Sequence, residues 1–103
     1  MLNKAFLVLL AVATAVLGEE IQWYTTRSCS GSSSLDYRNV ACNTCNNPDG
    51  DWYAVEVTGI GSGQQVTVHN QHGCTSGSVV GQQYGDLCMV AGNTALRSVY
   101  VSC

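Results

Sequence analysis

Two histidines lie three residues apart in the second half of the chain, at His69 and His72. With Glu56 and Arg97 they supply the side-chain types that a small nuclease uses for general acid–base catalysis. Their placement does not favour catalysis, because both histidines fall in one hairpin and no pair is held across a cleft. A shared metal site is also not favoured, because residues three apart in a strand point to opposite faces of the sheet. We interpret them as surface histidines and expect a protein that is not an enzyme. A secreted nuclease that uses His69 and His72 remains an alternative.

A second candidate for chemistry is the pair Cys42 and Cys45, whose spacing is that of a redox or zinc motif. No second pair of cysteines in the sequence has this spacing. A structural role is therefore favoured over metal binding. Serine hydrolysis is not indicated either, because no Gly-x-Ser-x-Gly elbow occurs. We expect no catalytic residue, no bound metal and no cofactor.

The amino-terminal segment predicts export. Lys4 lies in a short polar start, and an uncharged apolar run follows from Ala5 to Leu17. This pattern is typical of a signal peptide, residues 1–18, with cleavage after Gly18. The run is too short for a membrane anchor, which needs about 20 apolar residues. We expect a secreted, extracellular protein whose single domain spans residues 19–103 and does not insert into membranes.

Charge limits the partners of that domain. The whole chain has four basic and seven acidic residues, and its one lysine lies in the predicted leader. Binding to nucleic-acid phosphates or to an anionic membrane requires a basic face, which three arginines cannot form. We therefore expect no nucleic-acid partner.

The elements that must hold any site are predicted to be strands. Apolar and polar residues alternate with a period of two in four segments, separated by clusters of Gly, Ser, Asn and Asp. These segments are Ile21–Tyr24, Ala54–Thr58, Val66–His69 and Ser98–Val101. No segment of residues 19–103 keeps a helical apolar stripe for three turns. The sequence predicts an all-β domain.

The domain is also predicted to be an internal duplication. When Ile21–Tyr24 is aligned with Val66–His69, the next cysteine follows five residues later in both copies, and a glycine then lies eleven residues before Cys42 and before Cys88. Repetition of cysteines, glycines and strand ends indicates two units. We place motif one at about 19–59 and motif two at about 64–103, within one sandwich.

Six cysteines, all in residues 19–103, predict three disulfides in an oxidising compartment. Six cysteines allow about fifteen pairings. The duplication favours one of them, with one bond inside each unit and the third by elimination. The expected bonds are Cys29–Cys42, Cys74–Cys88 and Cys45–Cys103.

These features resemble the Greek-key motif of the βγ-crystallin superfamily. The resemblance rests on Ile-Gln-Trp-Tyr ending at Tyr24, on Gly31 seven residues later, and on the Ser-Val-Tyr-Val strand that begins at Ser98. It spans residues 19–103 and implies a Greek-key β-sandwich of two tandem four-stranded motifs. In that family an aromatic residue ends the first strand, and a glycine, here Gly31 or Gly77, permits a folded hairpin.

The resemblance further implies that a serine opening the last strand packs against the hairpin, a role that falls to Ser98. The sequence departs from the pattern at two positions. His69 stands where the second unit should have an aromatic residue, and Ala54 stands where the first unit should have serine.

The family's calcium-binding pattern has degenerate counterparts here, in residues 49–54 and 93–98. The fifth position, whose hydroxyl should ligate calcium, is Tyr53 in one segment and Arg97 in the other. Calcium needs several oxygen ligands, and a guanidinium repels it. We expect no calcium site, with weak residual binding left open. The remaining calcium-like positions are Asp49, Asp51, Asn93 and Ser98.

The resemblance implies a function without catalysis. Small secreted members of the family include killer-toxin-like, antifungal and protease-inhibitory proteins. We expect a monomer that acts by surface recognition of an extracellular protein or cell-wall target, in a toxin-like, antifungal, inhibitor or effector role. A glycan-binding module is an alternative, which exposed tyrosines or tryptophans on one face would favour.

Overall fold

A computed structural model describes residues 18–103, so the predicted signal peptide, residues 1–18, lies outside the described residues except for Gly18. The described chain is all-β, as predicted. Its only helical element is one 3₁₀ turn at Ser76–Ser78, so no helix in this range could span a bilayer. The strands are β1 (Glu19–Tyr24), β2 (Leu35–Val40), β3 (Cys45–Asn46), β4 (Ala54–Thr58), β5 (Gln65–His69), β6 (Val79–Tyr84), β7 (Leu87–Val90) and β8 (Ser98–Ser102).

The strands form two antiparallel sheets of four strands each. Sheet A has the order β2-β1-β4-β7, and sheet B has the order β3-β8-β5-β6. We call β1 to β4 the first half and β5 to β8 the second half. When each strand is replaced by its counterpart in the other half, the strand order of sheet A becomes that of sheet B, read from the opposite edge. The third strand of each half, β3 or β7, lies at the edge of the sheet that the other half builds. Each sheet is therefore completed by a strand from the other half.

The core lies between the sheets and follows the predicted alternation. In sheet A, Ile21 pairs with Val57 and Trp23 with Val55, and all four side chains are fully buried. Sheet B repeats this arrangement with fully or almost fully buried valines. Their cross-strand pairs are Val66 with Val101 and Val68 with Val99. Removing these apolar side chains from water is the main source of stability.

The two halves meet at Trp52 and Leu96, which occupy equivalent positions just before β4 and β8. The backbone N–H of Trp52 donates to the carbonyl of Leu96 at 3.1 Å, and the reverse bond measures 2.8 Å. Trp23 is fully buried, and its ring centroid lies 6.2 Å from that of Trp52. Trp52 is half-buried and covers the end of the core.

Three disulfides link the halves, and the predicted pairing is wrong at every bond. The bonds are Cys29–Cys88, Cys42–Cys103 and Cys45–Cys74, not Cys29–Cys42, Cys74–Cys88 and Cys45–Cys103. The physical reason is the placement of the third strands. The loop after β1 carries Cys29 and faces β7, and the loop after β5 carries Cys74 and faces β3, so each of these cysteines meets a partner from the other half.

Two of these bonds, Cys29–Cys88 and Cys45–Cys74, are equivalent when the strands of the first half are matched to those of the second. Cys29 and Cys74 follow β1 and β5, whereas Cys88 and Cys45 lie in β7 and β3. The prediction matched Cys88 to Cys42, which precedes β3, although the residue in the third strand is Cys45. Cys42 instead bonds the last residue, Cys103.

The two hairpin loops use their glycines differently. Gly31, in the loop between β1 and β2, has a φ of +81°, a left-handed angle that favours glycine. Gly77 has no positive φ and lies in the 3₁₀ turn. In the loop between β5 and β6 the left-handed angles fall at Gly73 (+84°) and Cys74 (+52°). The hairpin role expected of Gly77 is therefore taken by Gly73.

Candidate recognition surface

The surface of residues 18–103, the range that the structure describes, contains no pocket. Candidate sites must therefore be sought on its open faces and loops.

The two histidines have different environments and different partners. His69 ends β5 and is buried, with 4% of its surface exposed, and its Nδ1 lies 3.0 Å from the hydroxyl of Ser78. Burial lowers its pKa, because the charged imidazolium loses hydration. The prediction of a surface histidine is wrong for His69, since the hairpin loop between β5 and β6 covers it. His72 is exposed, as predicted, and its Nδ1 lies 2.9 Å from Oδ1 of Asn47.

Of the other residues of the nuclease alternative, Glu56 lies on the other sheet, whereas the backbone N–H of Arg97 donates to the carbonyl of His69 at 2.9 Å. Glu56 projects from the outer face of sheet A and accepts a hydrogen bond of 3.3 Å from the hydroxyl of Tyr24. Arg97 precedes β8 and pairs with Asp51 at 2.7 Å. His69 belongs to the outer side of sheet B, so the structure does not bring these groups to one cleft.

The calcium-like segments lie side by side, joined through Trp52 and Leu96. Their carboxylate Asp51 is bonded by Arg97, whose Nη1 also donates to the carbonyl of Asn70 at 2.8 Å. The hydrogen bond from Arg97 lowers the pKa of Asp51. The guanidinium thus engages a carboxylate and a carbonyl oxygen that a cation would otherwise use.

Ser98 has a structural environment. It is fully buried at the start of β8, where its hydroxyl donates to the carbonyl of Gln71 at 2.6 Å and accepts from the N–H of Cys74 at 3.0 Å. Ser98 therefore fastens the last strand to the β5–β6 loop. Its counterpart in the first half is Ala54, which is also buried but offers no such bond.

The outer face of sheet A carries charge. Glu20 on β1 and Asp36 on β2 both bind Arg38, at 3.4 and 3.0 Å, and Glu56 lies on β4. The pKa of Glu20 is raised and that of Asp36 is lowered, chiefly because the two carboxyl groups share a hydrogen bond. We call this surface the charged face.

The outer face of sheet B carries no charge. None of its four strands, which span residues 45–46, 65–69, 79–84 and 98–102, contains Asp, Glu, Lys or Arg. Alternation points most of the polar side chains and both tyrosines of these strands away from the core, whereas Asn46 and Gln83 lie opposite buried valines. We call this surface the neutral face, and its members are Gln65, Thr67, Gln82, Tyr84, Tyr100 and Ser102.

The register of the two sheets allows the faces to be compared position by position. Gln22 on β1 pairs with Asp36 and Glu56, and its counterpart Thr67 on β5 pairs with Gln82 and Tyr100. At the next outward-facing position along β1, Glu20 contacts Arg38 in sheet A. At the equivalent position along β5, Gln65 pairs with Tyr84 in sheet B. Every charge on the charged face thus has an uncharged counterpart on the neutral face. The matched pairs are Glu20 and Gln65, Asp36 and Gln82, Arg38 and Tyr84, and Glu56 and Tyr100.

The two tyrosines are the largest side chains of the neutral face. Tyr84 is 63% exposed at the edge strand β6, and Tyr100 is half-buried on β8. They are two strands apart and offset by two residues, which places their Cα atoms about 12 Å apart by ordinary sheet geometry. Between them, Nε2 of Gln82 donates to the hydroxyl of Thr67 at 3.2 Å.

The loops and the edge strand set the limits of the neutral face. At one end the Cys45–Cys74 disulfide and the β5–β6 loop cover the sheet. At the outer edge, Val79 and Val80 of β6 are 44% and 37% exposed. The neutral face is therefore an open and shallow surface.

Sequence patterns did not reveal this surface, because β6 was not predicted as a strand. The sequence Val79–Tyr84 has no apolar alternation, and all its residues except Gly81 are exposed. One signal was present in the sequence, the absence of charge in residues 65–69, 79–84 and 98–102. The absence of charge indicates an uncharged face only when these segments are known to lie in one sheet.

Comparison of the chain with models of known protein families, with curated proteins and with solved structures finds no match. Inference of function therefore rests on the geometry of the two faces.

Proposed function

We propose that this chain is a secreted, disulfide-stapled recognition module without catalytic activity, which binds an extracellular protein or cell-wall component through its neutral face. The observation that carries the proposal is the difference between the outer faces, since one sheet repeats the strand order of the other but its strands contain no charged residue. Charged side chains keep a sheet face hydrated, whereas an uncharged face with an exposed and a half-buried tyrosine is suited to contact with a partner.

The disulfides support an extracellular role. They close loops with sequence separations of 29, 59 and 61 residues, and each joins the first half to the second. Such bonds restrict the unfolded chain and persist only in an oxidising compartment. A small domain with a thin core gains stability from them while its outer surface is left free for binding.

We also propose that the sandwich is of the βγ-crystallin Greek-key type. Two features support this assignment. The strand order of each half is the same, with the third strands exchanged between sheets. In the second half, Ser98 at the start of the last strand bonds the backbone of the hairpin loop.

The proposal is tested by co-sedimentation of the purified protein with insoluble cell-wall preparations and with extracellular matrix. Tyr84→Ala is expected to reduce the bound fraction strongly. Tyr37→Ala is the control in the other sheet, because Tyr37 is 36% exposed on the edge strand β2 and lies opposite the buried Ile21, away from both outer faces. Equal binding by Tyr84→Ala and Tyr37→Ala would refute a role for the neutral face.

A further inference from the structure

We infer that the ligand of the neutral face is a neutral polysaccharide, bound along the side of its chain. This inference rests on the proposed function and adds the chemical class of the target. It is carried by three properties of the neutral face: its charge, its hydrogen-bonding groups and the placement of its two tyrosines.

The charge distribution selects against ionic ligands. Anionic polysaccharides, nucleic acids and phosphate groups are bound through Lys and Arg, which the strands of sheet B, residues 45–46, 65–69, 79–84 and 98–102, do not contain. Cationic ligands would prefer the charged face, where Glu20, Asp36 and Glu56 are accompanied only by Arg38. An uncharged ligand can bind the neutral face without burying a charge that lacks a partner.

The hydrogen-bonding groups match those of a sugar. The amides of Gln65 and Gln82 each offer donors and an acceptor, and the hydroxyls of Thr67 and Ser102 can do either. A sugar hydroxyl is likewise both donor and acceptor, so it can replace the water that covers these groups. The existing bond between Gln82 and Thr67 orients both side chains before a ligand arrives.

The tyrosines supply apolar contact. A pyranose ring has a face of C–H groups that packs on an aromatic ring, while the phenolic hydroxyl of tyrosine stays hydrated. Tyr84 and Tyr100 lie diagonally across β5 at about 12 Å. An extended chain that contacts both rings passes over Gln65 and Thr67. Because residues 18–103 form no pocket, the neutral face fits the side of a long chain better than the end of a short one.

A protein partner is less well matched to the same surface. Residues that anchor protein interfaces are mostly Trp, Tyr and Arg set in desolvated pockets, and serine is depleted there. The outward-facing side chains of strands β5, β6 and β8 include two tyrosines but neither Trp nor Arg. Their Gln, Thr and Ser side chains favour a ligand that is rich in hydroxyl groups.

The test is a pull-down with insoluble cellulose, chitin and curdlan as neutral polysaccharides, and with insoluble polygalacturonate as the anionic one. We expect binding to at least one neutral polysaccharide, with an affinity that salt leaves unchanged. Tyr84→Ala should weaken it about tenfold or more, whereas Tyr37→Ala should bind like the parent chain.

A second pair of variants keeps the test independent of folding defects. Gln82→Asp installs on the neutral face the charge found at Asp36, and Asp36→Asn removes that charge from the charged face. Only Gln82→Asp should weaken polysaccharide binding. Binding to polygalacturonate alone, with loss at high salt, would overturn the inference.

Other outcomes separate this inference from the proposed function. If binding to cell walls depends on Tyr84 but is abolished by protease treatment of the walls and not by digestion of their glycans, the neutral face binds a protein and the polysaccharide inference is wrong. If neither walls nor polysaccharides distinguish Tyr84→Ala from Tyr37→Ala, the proposed function fails as well.

Discussion

Replacing Ser98 by alanine should destabilise the domain by about 2 kcal/mol, a value obtained from its two hydrogen bonds. The hydroxyl is fully buried and bonds the carbonyl of Gln71 and the N–H of Cys74. Each lost bond costs about 0.5–1.5 kcal/mol, and a backbone group left unpaired without water costs about 1–3 kcal/mol. Gln71 is exposed, so water can rebond its carbonyl, whereas Cys74 is half-buried.

The assay is urea unfolding of the oxidised protein, followed by tryptophan fluorescence. In thermal unfolding, the same loss of about 2 kcal/mol corresponds to a fall in melting temperature of roughly 8–16 °C for a domain of this size. The slope of the unfolding free energy against urea should not change, because the unfolded chain exposes the same surface.

Ser102→Ala is the matched control, on the same strand. Its hydroxyl reaches the carbonyl of Gln65 only at 3.4 Å and is half-exposed. We expect a change within about 0.5 kcal/mol for this variant. Equal effects of Ser98→Ala and Ser102→Ala would refute the role given to Ser98 in fastening β8 to the hairpin loop.

Four further predictions follow from single features. Burial lowers the pKa of His69 below its unfolded value of about 6.5. The contribution of neutral His69 to stability should therefore be complete above about pH 6.5 and should decline as the pH falls towards the folded pKa. His69→Gln should remove this decline in urea titrations at several pH values. Gly73→Ala should cost about 1 kcal/mol or more because of its φ of +84°, whereas Gly77→Ala should be close to neutral in the same assay. Millimolar calcium should leave the melting temperature unchanged, since Arg97 already engages Asp51; a rise would show a functional calcium site. Peptide mapping of the unreduced protein should recover Cys29–Cys88, Cys42–Cys103 and Cys45–Cys74, and a bond within one half would contradict the exchange of β3 and β7.

The central strands could be predicted because each has one face in the core. In β1, Ile21 and Trp23 are fully buried and Gln22 between them is not, and β4, β5 and β8 follow the same rule. The edge strands β2 and β6 could not be found in this way. In β6 the residues are exposed on both sides and show no apolar alternation, whereas β2 alternates only over Leu35–Arg38 and is mostly exposed.

The disulfides could not be predicted because their pairing depends on which sheet each third strand joins. Cys45 and Cys74 are close only because β3 crosses to sheet B. Nothing in the spacing of the cysteines indicates that crossing. The predicted repeat matched Cys42 to Cys88, whereas the cysteine at the equivalent place in the third strand is Cys45, and all three bonds join the first half to the second.

His69 shows a similar limit. Its position on β5 points it away from the core, which favoured a surface histidine. The β5–β6 loop then folds over it and provides Ser78 as a hydrogen-bond partner. Burial by a loop depends on tertiary structure, so the alternation of residues within a strand does not predict it.

The central claim is that the neutral face makes the contact with a neutral polysaccharide, and backbone NMR of the labelled protein tests it most directly. Soluble oligosaccharides of the polysaccharide that is retained in the pull-down would be titrated into the protein, and shifts of the amide resonances recorded. We predict shifts concentrated on β5, β6 and β8, strongest near Tyr84 and Tyr100, with β1, β2 and β4 unaffected. Shifts concentrated on the charged face, around Glu20 and Asp36, would contradict the claim.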